Sequence, residues 1–148
     1  MTARDRKMKH TKDEGFSLVE LLMVVVVVGI LAAVAVPALT KGARAAENGA
    51  ALAALRTISS TEARFYSTHG RFGTLDEINA DLSQGLGRSM GVNQILKNQF
   101  LYEMVPAAPT NAELRETYTI TTTRFITGET TIYKFSVDHT GFISQILP

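Results

Sequence analysis

Residues 15–39 read Gly15-Phe16-Ser17-Leu18-Val19-Glu20-Leu21-Leu22-Met23, then VVVVVGILAAVAVPAL to Leu39. A charged leader ends at Gly15, and an apolar run of 24 residues, Phe16 to Leu39, follows it. At about 1.5 Å per residue a helix over that run reaches roughly 36 Å. The hydrocarbon core of a bilayer is about 30 Å thick, so the run predicts a membrane-spanning helix with some tilt. Val24–Val28 is β-branched and helix-poor in water, but unsatisfied backbone groups cost more in lipid, so helix wins there. One carboxylate, Glu20, lies near the start of the span. A charge inside such a span costs about 2.5–3.5 kcal/mol on insertion scales, so something must offset it.

Charge sets the orientation. The first 15 residues hold Arg4, Arg6, Lys7, Lys9 and Lys12 against Asp5, Asp13 and Glu14. The leader is therefore at +2 and the remainder near −1, within a whole-chain charge of +1 over 148 residues. Lys41 and Arg44 follow the span but are outnumbered, so the positive-inside rule leaves the leader in the cytoplasm and exports the body. The near-neutral body has no basic stripe and predicts no nucleic-acid partner. With no cysteine, disulfides, thiolate metal sites and Cys nucleophiles are excluded. An ordinary signal peptide has a shorter apolar core of about 7–15 residues with a small-residue cleavage site after it, which this run does not match.

Gly15-Phe16-Ser17-Leu18-Val19-Glu20 strongly resembles the type IV prepilin signature of the pilin-like family, and the likeness covers residues 1–39. The resemblance implies cleavage by a prepilin peptidase between Gly15 and Phe16, on the cytoplasmic side, followed by N-methylation of Phe16. Glycine suits the cut because it lets the backbone approach a protease without a Cβ in the way. It also implies a use for Glu20. The cut creates an ammonium at Phe16, which Glu20 could meet at i,i+4 in its own helix. In pilin-like proteins the carboxylate pairs instead with the N-terminal amine of the neighbouring subunit. A buried charge completed by a partner is far less costly than one left alone, so the pair would favour docking and set the register. The plainer alternative is a carboxylate snorkelling to the headgroups.

Gly29 and Pro37 make the helix weakest between them. Pro37 has no N–H, so the carbonyl of Ala33 loses its helical donor, and Gly29 adds backbone freedom. The resemblance implies that this stretch loosens on assembly; a fixed Pro kink is the alternative.

Beyond the span, Lys41 to Tyr66 predicts a stem helix rich in alanine, with Leu52, Leu55, Ile58 and Phe65 on one apolar face. Arg44, Glu47, Arg56, Glu62 and Arg64 are expected on its solvated face, and Gly70 as its C-terminal cap. In the head, Thr74 or Asp76 is expected to cap a short helix over Leu75–Leu82, with Gln84–Asn98 as a glycine-bearing loop. Four strands are expected at Phe100–Val105, Thr117–Phe125, Thr131–Val137 and Phe142–Ile146, with turns at Thr127-Gly128-Glu129 and Asp138-His139-Thr140-Gly141. The fold expected is α+β: a long N-terminal helix, half transmembrane and half amphipathic, packed on a small antiparallel sheet. The domains are a leader, 1–15, that is removed; a filament-core helix, 16–39; a periplasmic stem, 40–67; and a globular head, 68–148.

Nothing in the motifs points to an enzyme or a cofactor. His10, His69 and His139 lack ligand partners at useful spacing. There is no G-x-S-x-G and no H-E-x-x-H. Gly85-Leu86-Gly87-Arg88-Ser89-Met90-Gly91 imitates a dinucleotide loop, but its third glycine comes one position late and no strand is expected before it. Asp138 alone is too few carboxylates for calcium. Phe65, Tyr66, Phe72 and Tyr102 are expected to pack in the core. The function expected is therefore a structural subunit of a type IV pilus, held in the bacterial inner membrane before assembly and extracellular in the pilus afterwards. Its implied partners are other pilins in a homo- or hetero-polymer, the prepilin peptidase, an inner-membrane assembly platform and membrane lipid. The alternatives are a type II secretion pseudopilin, or a minor pilin for DNA uptake or adhesion. The missing cysteines depart from the disulfide-bounded C-terminal loop of many major pilins.

Overall fold

The computed structural model describes residues 15–124 and 133–147. The leader up to Glu14 with His10, the strand end at Phe125, the turn Thr127-Gly128-Glu129 and the strand start at Thr131 lie outside the described residues. The chain divides into two compact units, residues 1–42 and 43–148.

In the first unit the dominant element is the start of α1, which spans Leu18–His69 and runs through Gly29 and Pro37 without interruption. The Thr40 hydroxyl donates to the Pro37 carbonyl at 2.9 Å. Described residues 15–46 are all exposed.

The second unit is built on the rest of α1, which ends where Gly70 takes a left-handed φ of 68° and donates its N–H to the Tyr66 carbonyl at 2.9 Å. A residue with a Cβ would be disfavoured there, which is why glycine ends the helix. Helix α2 (Leu75–Asp81) starts at Thr74, whose side chain accepts from the Glu77 N–H while Glu77 accepts the Thr74 N–H, a reciprocal capping box. Of the two caps expected, Thr74 is the one used. Six strands follow: β1 (Arg88–Gly91), β2 (Gln94–Lys97), β3 (Phe100–Met104), β4 (Thr119–Arg124), β5 (Lys134–Asp138) and β6 (Ile143–Leu147). A short helix, α3 (Glu113–Glu116), lies between β3 and β4. The sheet is an antiparallel meander in the order β1-β2-β3-β4-β5-β6.

Four of those strands fall where sequence placed them. The other two correct it: Gln84–Asn98 is not a loop but carries the β1–β2 hairpin. Between β2 and β3, Asn98 and Gln99 both take positive φ, 49° and 67°, and link Lys97 to its partner Phe100. Two such residues in a two-residue connection match the twist of the strands they join.

The sheet turns Ile95, Phe100, Tyr102, Met104, Ile120, Phe135 and Val137 onto Ala51, Ala54, Leu55 and Ile58 of α1, with Leu75 and Ile78 of α2 closing one side. Strands β3, β4 and β5 alternate buried with half-buried positions, as period-two patterning requires. Leu52, Phe65 and Phe72 are partly buried against this core. Tyr66 is not in it: it stays 41% exposed and leans on the Phe72 ring, 4.7 Å between centroids.

Two charged residues placed on the solvated face of the stem do not lie in bulk solvent. Glu47 pairs with Arg124, which is only 5% exposed on the inner face of β4. The Arg124 guanidinium also lies 5.9 Å from the ring centroids of Phe100 and Tyr133. Glu62 is fully buried. Its Oε2 accepts the Gly73 N–H at 2.7 Å, and burial pushes its carboxyl up to about 8, with Glu77 adding to the rise and Gly73 and Arg71 opposing it.

Candidate functional site

The candidate site is the N-terminal end of α1. Gly15, Phe16 and Ser17 precede the helix in non-helical backbone, and Phe16 is 88% exposed. Ser17 begins the helix: its carbonyl accepts the Leu21 N–H at 3.1 Å. Three positions on, the Glu20 carboxylate folds back, and its Oε2 accepts the Ser17 N–H at 3.4 Å. This is the acidic half of a capping box, in which a residue at the third helical position satisfies the free N–H of the cap. The sequence signal for this use of Glu20 is the spacing Ser17-x-x-Glu20, which was not among the readings above.

The arrangement places Glu20 where charge helps most. The first four N–H groups of a helix have no partner inside it, and the helix dipole makes that end positive. Ser17 is also the residue after Phe16, so the carboxylate faces the end at which a cut after Gly15 would create an ammonium. Gly15 lies in open space, since a Cβ built on it would meet nothing within 4 Å. The structure thus brings Gly15, Phe16, Ser17 and Glu20 to one helix end. Gly29 and Pro37 lie further along α1 and take no part in it; a Cβ built on Gly29 would likewise meet nothing within 4 Å.

Behind this end the helix is apolar on every side. Phe16, Leu18, Val19, Leu21 and Leu22 are each at least 59% exposed, and the same holds at the far end for Val34 and Leu39. The most apolar 18-residue window has a mean hydropathy of 2.9 and no buried share, and α1 is long and apolar enough to cross a membrane. A helix that is hydrophobic all round and that none of the described residues covers requires an apolar surrounding, lipid or other helices.

The described histidines and Asp138 have local partners. Among the described residues no group of three His, Cys, Asp or Glu side chains could hold a metal ion. His69 stacks on Phe65 with ring centroids 4.0 Å apart, and His139 meets the Thr117 hydroxyl through Nδ1 at 2.9 Å. The Asp138 carboxylate accepts from both the backbone N–H and the hydroxyl of Thr140, which hold it below the usual carboxylate range in a closed turn.

Comparison with known proteins agrees with the helix end. Residues 10–36 match the family model described as the prokaryotic N-terminal methylation motif. No curated protein and no solved structure matches the chain. Over residues 10–36 the chain carries the prepilin-type cleavage and methylation motif of type IV pilin-like proteins.

Proposed function

We propose that this chain is a structural subunit of a type IV pilus, with no catalytic role of its own. Prepilin peptidase would cut between Gly15 and Phe16, and Phe16 would be methylated at its new amine. The apolar helix then serves twice, as an inner-membrane anchor before assembly and as the filament core after it. The observation that carries this reading is the combination at one end of α1: a first-turn carboxylate, Glu20, beside the motif's cut position, on a helix that the described residues leave bare.

Assembly follows from electrostatics in a dry surrounding. A lone Glu20 in lipid is an uncompensated charge held by one long backbone bond. The Phe16 ammonium of a neighbouring copy would complete it, and only one axial stagger brings the two together. Removing either partner from such a pair leaves a buried charge unpaired, which costs about 3–5 kcal/mol. The packing of bare helices supplies the rest of the attraction, and the exposed Ala45, Ala46, Gly49, Ala50 and Ala53 allow close approach along the stem.

A second reading, a pseudopilin of a type II secretion system, is favoured by one feature: without cysteine, the head cannot form a disulfide-bounded loop. Electron microscopy of the sheared surface fraction from a deletion strain separates the two. Loss of all filaments supports the pilus subunit. Intact filaments with lost protein secretion support the pseudopilin, and residual filaments with normal secretion support a minor pilin.

A further inference from the structure

Glu62 lies on the stripe of α1 that faces the sheet, one helical turn beyond Ile58, and is fully buried. Its two oxygens are in different situations. Oε2 accepts the Gly73 N–H at 2.7 Å, while Oε1 is buried with no hydrogen-bond partner among the described residues. Gly73 is seated tightly over this spot: a Cβ on it would come within 2.8 Å of Ile78 Cδ1 and 3.4 Å of Phe65 Cδ1. The segment from Arg71 to Thr74 is therefore closed down on the carboxyl, with the Phe72 N–H tied to the Leu114 carbonyl at 2.8 Å.

Among the described residues no cation is free to neutralise an anion there. The charged and titratable groups that face Glu62 are Arg71 from the α1–α2 connection, Glu77 from α2 and Tyr118 at the entry to β4; Asp138 of β5 acts in turn on Tyr118. Arg71 is engaged elsewhere, donating to both Glu77 oxygens at 2.9 and 2.7 Å. Tyr118 is itself buried, and burial pushes its phenol up to about 12, so it supplies no charge. An ionised Glu62 would hold a full charge on a single amide, whereas the neutral acid fits an apolar seat.

We propose that Glu62 is a proton-operated latch: as a neutral acid it holds Gly73 against α1, and opening of the Arg71–Thr74 segment to water releases its proton. The O–H bond of the carboxyl breaks on opening, the electron pair stays on the carboxylate and the proton passes to solvent. Closing reverses this. The consequence is a segment of the head whose closure tightens with acidity.

The sign follows from linkage. The closed state keeps the proton up to about pH 8, and the open state loses it near the ordinary glutamate value of 4.5. Between those limits opening becomes easier as pH rises, and above the upper one the effect levels off. Amide hydrogen exchange on the full chain in detergent micelles reads this at Gly73. Its protection factor should fall about tenfold per pH unit between about pH 5 and 8, after correction for intrinsic exchange, and then flatten. In Glu62→Gln the protection should not depend on pH across that window. A flat wild-type profile, or the same slope in Glu62→Gln, would overturn the latch. Should the variant not fold, carbon NMR titration of the wild-type Glu62 carboxyl decides the matter: a midpoint near 8 supports the latch, and one near 4.5 overturns it.

Discussion

Glu20 reaches back along the first turn of α1, and its Oε2 accepts the backbone N–H of Ser17 at 3.4 Å. A carboxylate that costs free energy in the middle of an apolar span is thus held at the span's beginning, on the positive end of the helix dipole. The bond is long for an N–H···O contact, so it leaves the carboxylate with most of its accepting capacity. A new ammonium at Phe16, one residue before Ser17, would be a far stronger partner.

Glu20→Gln separates charge from capping, because the amide oxygen still accepts from Ser17. This variant should insert and be processed normally yet enter filaments at least tenfold less well, read as the ratio of sheared to membrane-bound protein on immunoblots. A charge-assisted pair contributes roughly 1.5–3 kcal/mol, enough for that loss. Normal incorporation of Glu20→Gln would remove the ion pair from the account.

In the proposed reading, Gly15 is the position at which a peptidase would come closest to the backbone. Gly15→Ala should slow removal of the leader, and Gly15→Leu should leave it attached, seen as a larger species in membrane fractions. Equal processing of Gly15→Leu and the parent chain would place the cut elsewhere.

Glu47 and Arg124 clamp α1 to β4. Glu47→Ala leaves a nearly buried guanidinium without its carboxylate, so it should cost more stability than the roughly 0–1 kcal/mol of an exposed pair. The double variant Glu47→Ala/Arg124→Met should recover part of the loss, because the unpaired charge is gone. Thermal melts of the four-member cycle measure the coupling; additive losses would show that the pair does not act as a unit.

The head should also lose stability in acid. The Arg71 hydrogen bonds hold Glu77 down at about 2, against an ordinary value of 4.5. A carboxyl lowered in the folded state contributes stability above the higher value and loses it as pH falls toward the lower one. Melting temperature should therefore drop between about pH 4.5 and 2, and Glu77→Gln should shrink that drop. A drop of unchanged size in Glu77→Gln would assign the acid limb to other carboxylates.

Much of this architecture was legible in the chain because its signals are long or rule-bound. The apolar run, Gly70 after the stem, Thr74 with Glu77 three residues later, and the alternation of Phe135 and Val137 each have one physical solution. The β1–β2 hairpin was hidden because its strands are four residues each and three glycines cluster at 85–91. The Asn98-Gln99 turn was equally obscure, since glutamine stands where glycine usually marks such a connection. Glu62 was misplaced by its chemistry alone: Leu55, Ile58, Glu62 and Phe65 share a helical stripe, and spacing put the carboxyl inside while its charge suggested otherwise. At the candidate site, Gly15, Phe16 and Glu20 were readable as a motif. The Ser17 contact needed the backbone to show which way the carboxylate turns.

The central claim is that the chain reaches the filament without its leader and with a modified Phe16. Intact-mass spectrometry of the protein recovered from sheared surface filaments tests it directly. The account predicts a species whose N-terminal fragments begin at Phe16 and carry one methyl group on that residue. A species that retains residues 1–15, or that begins at any residue other than Phe16, would contradict it.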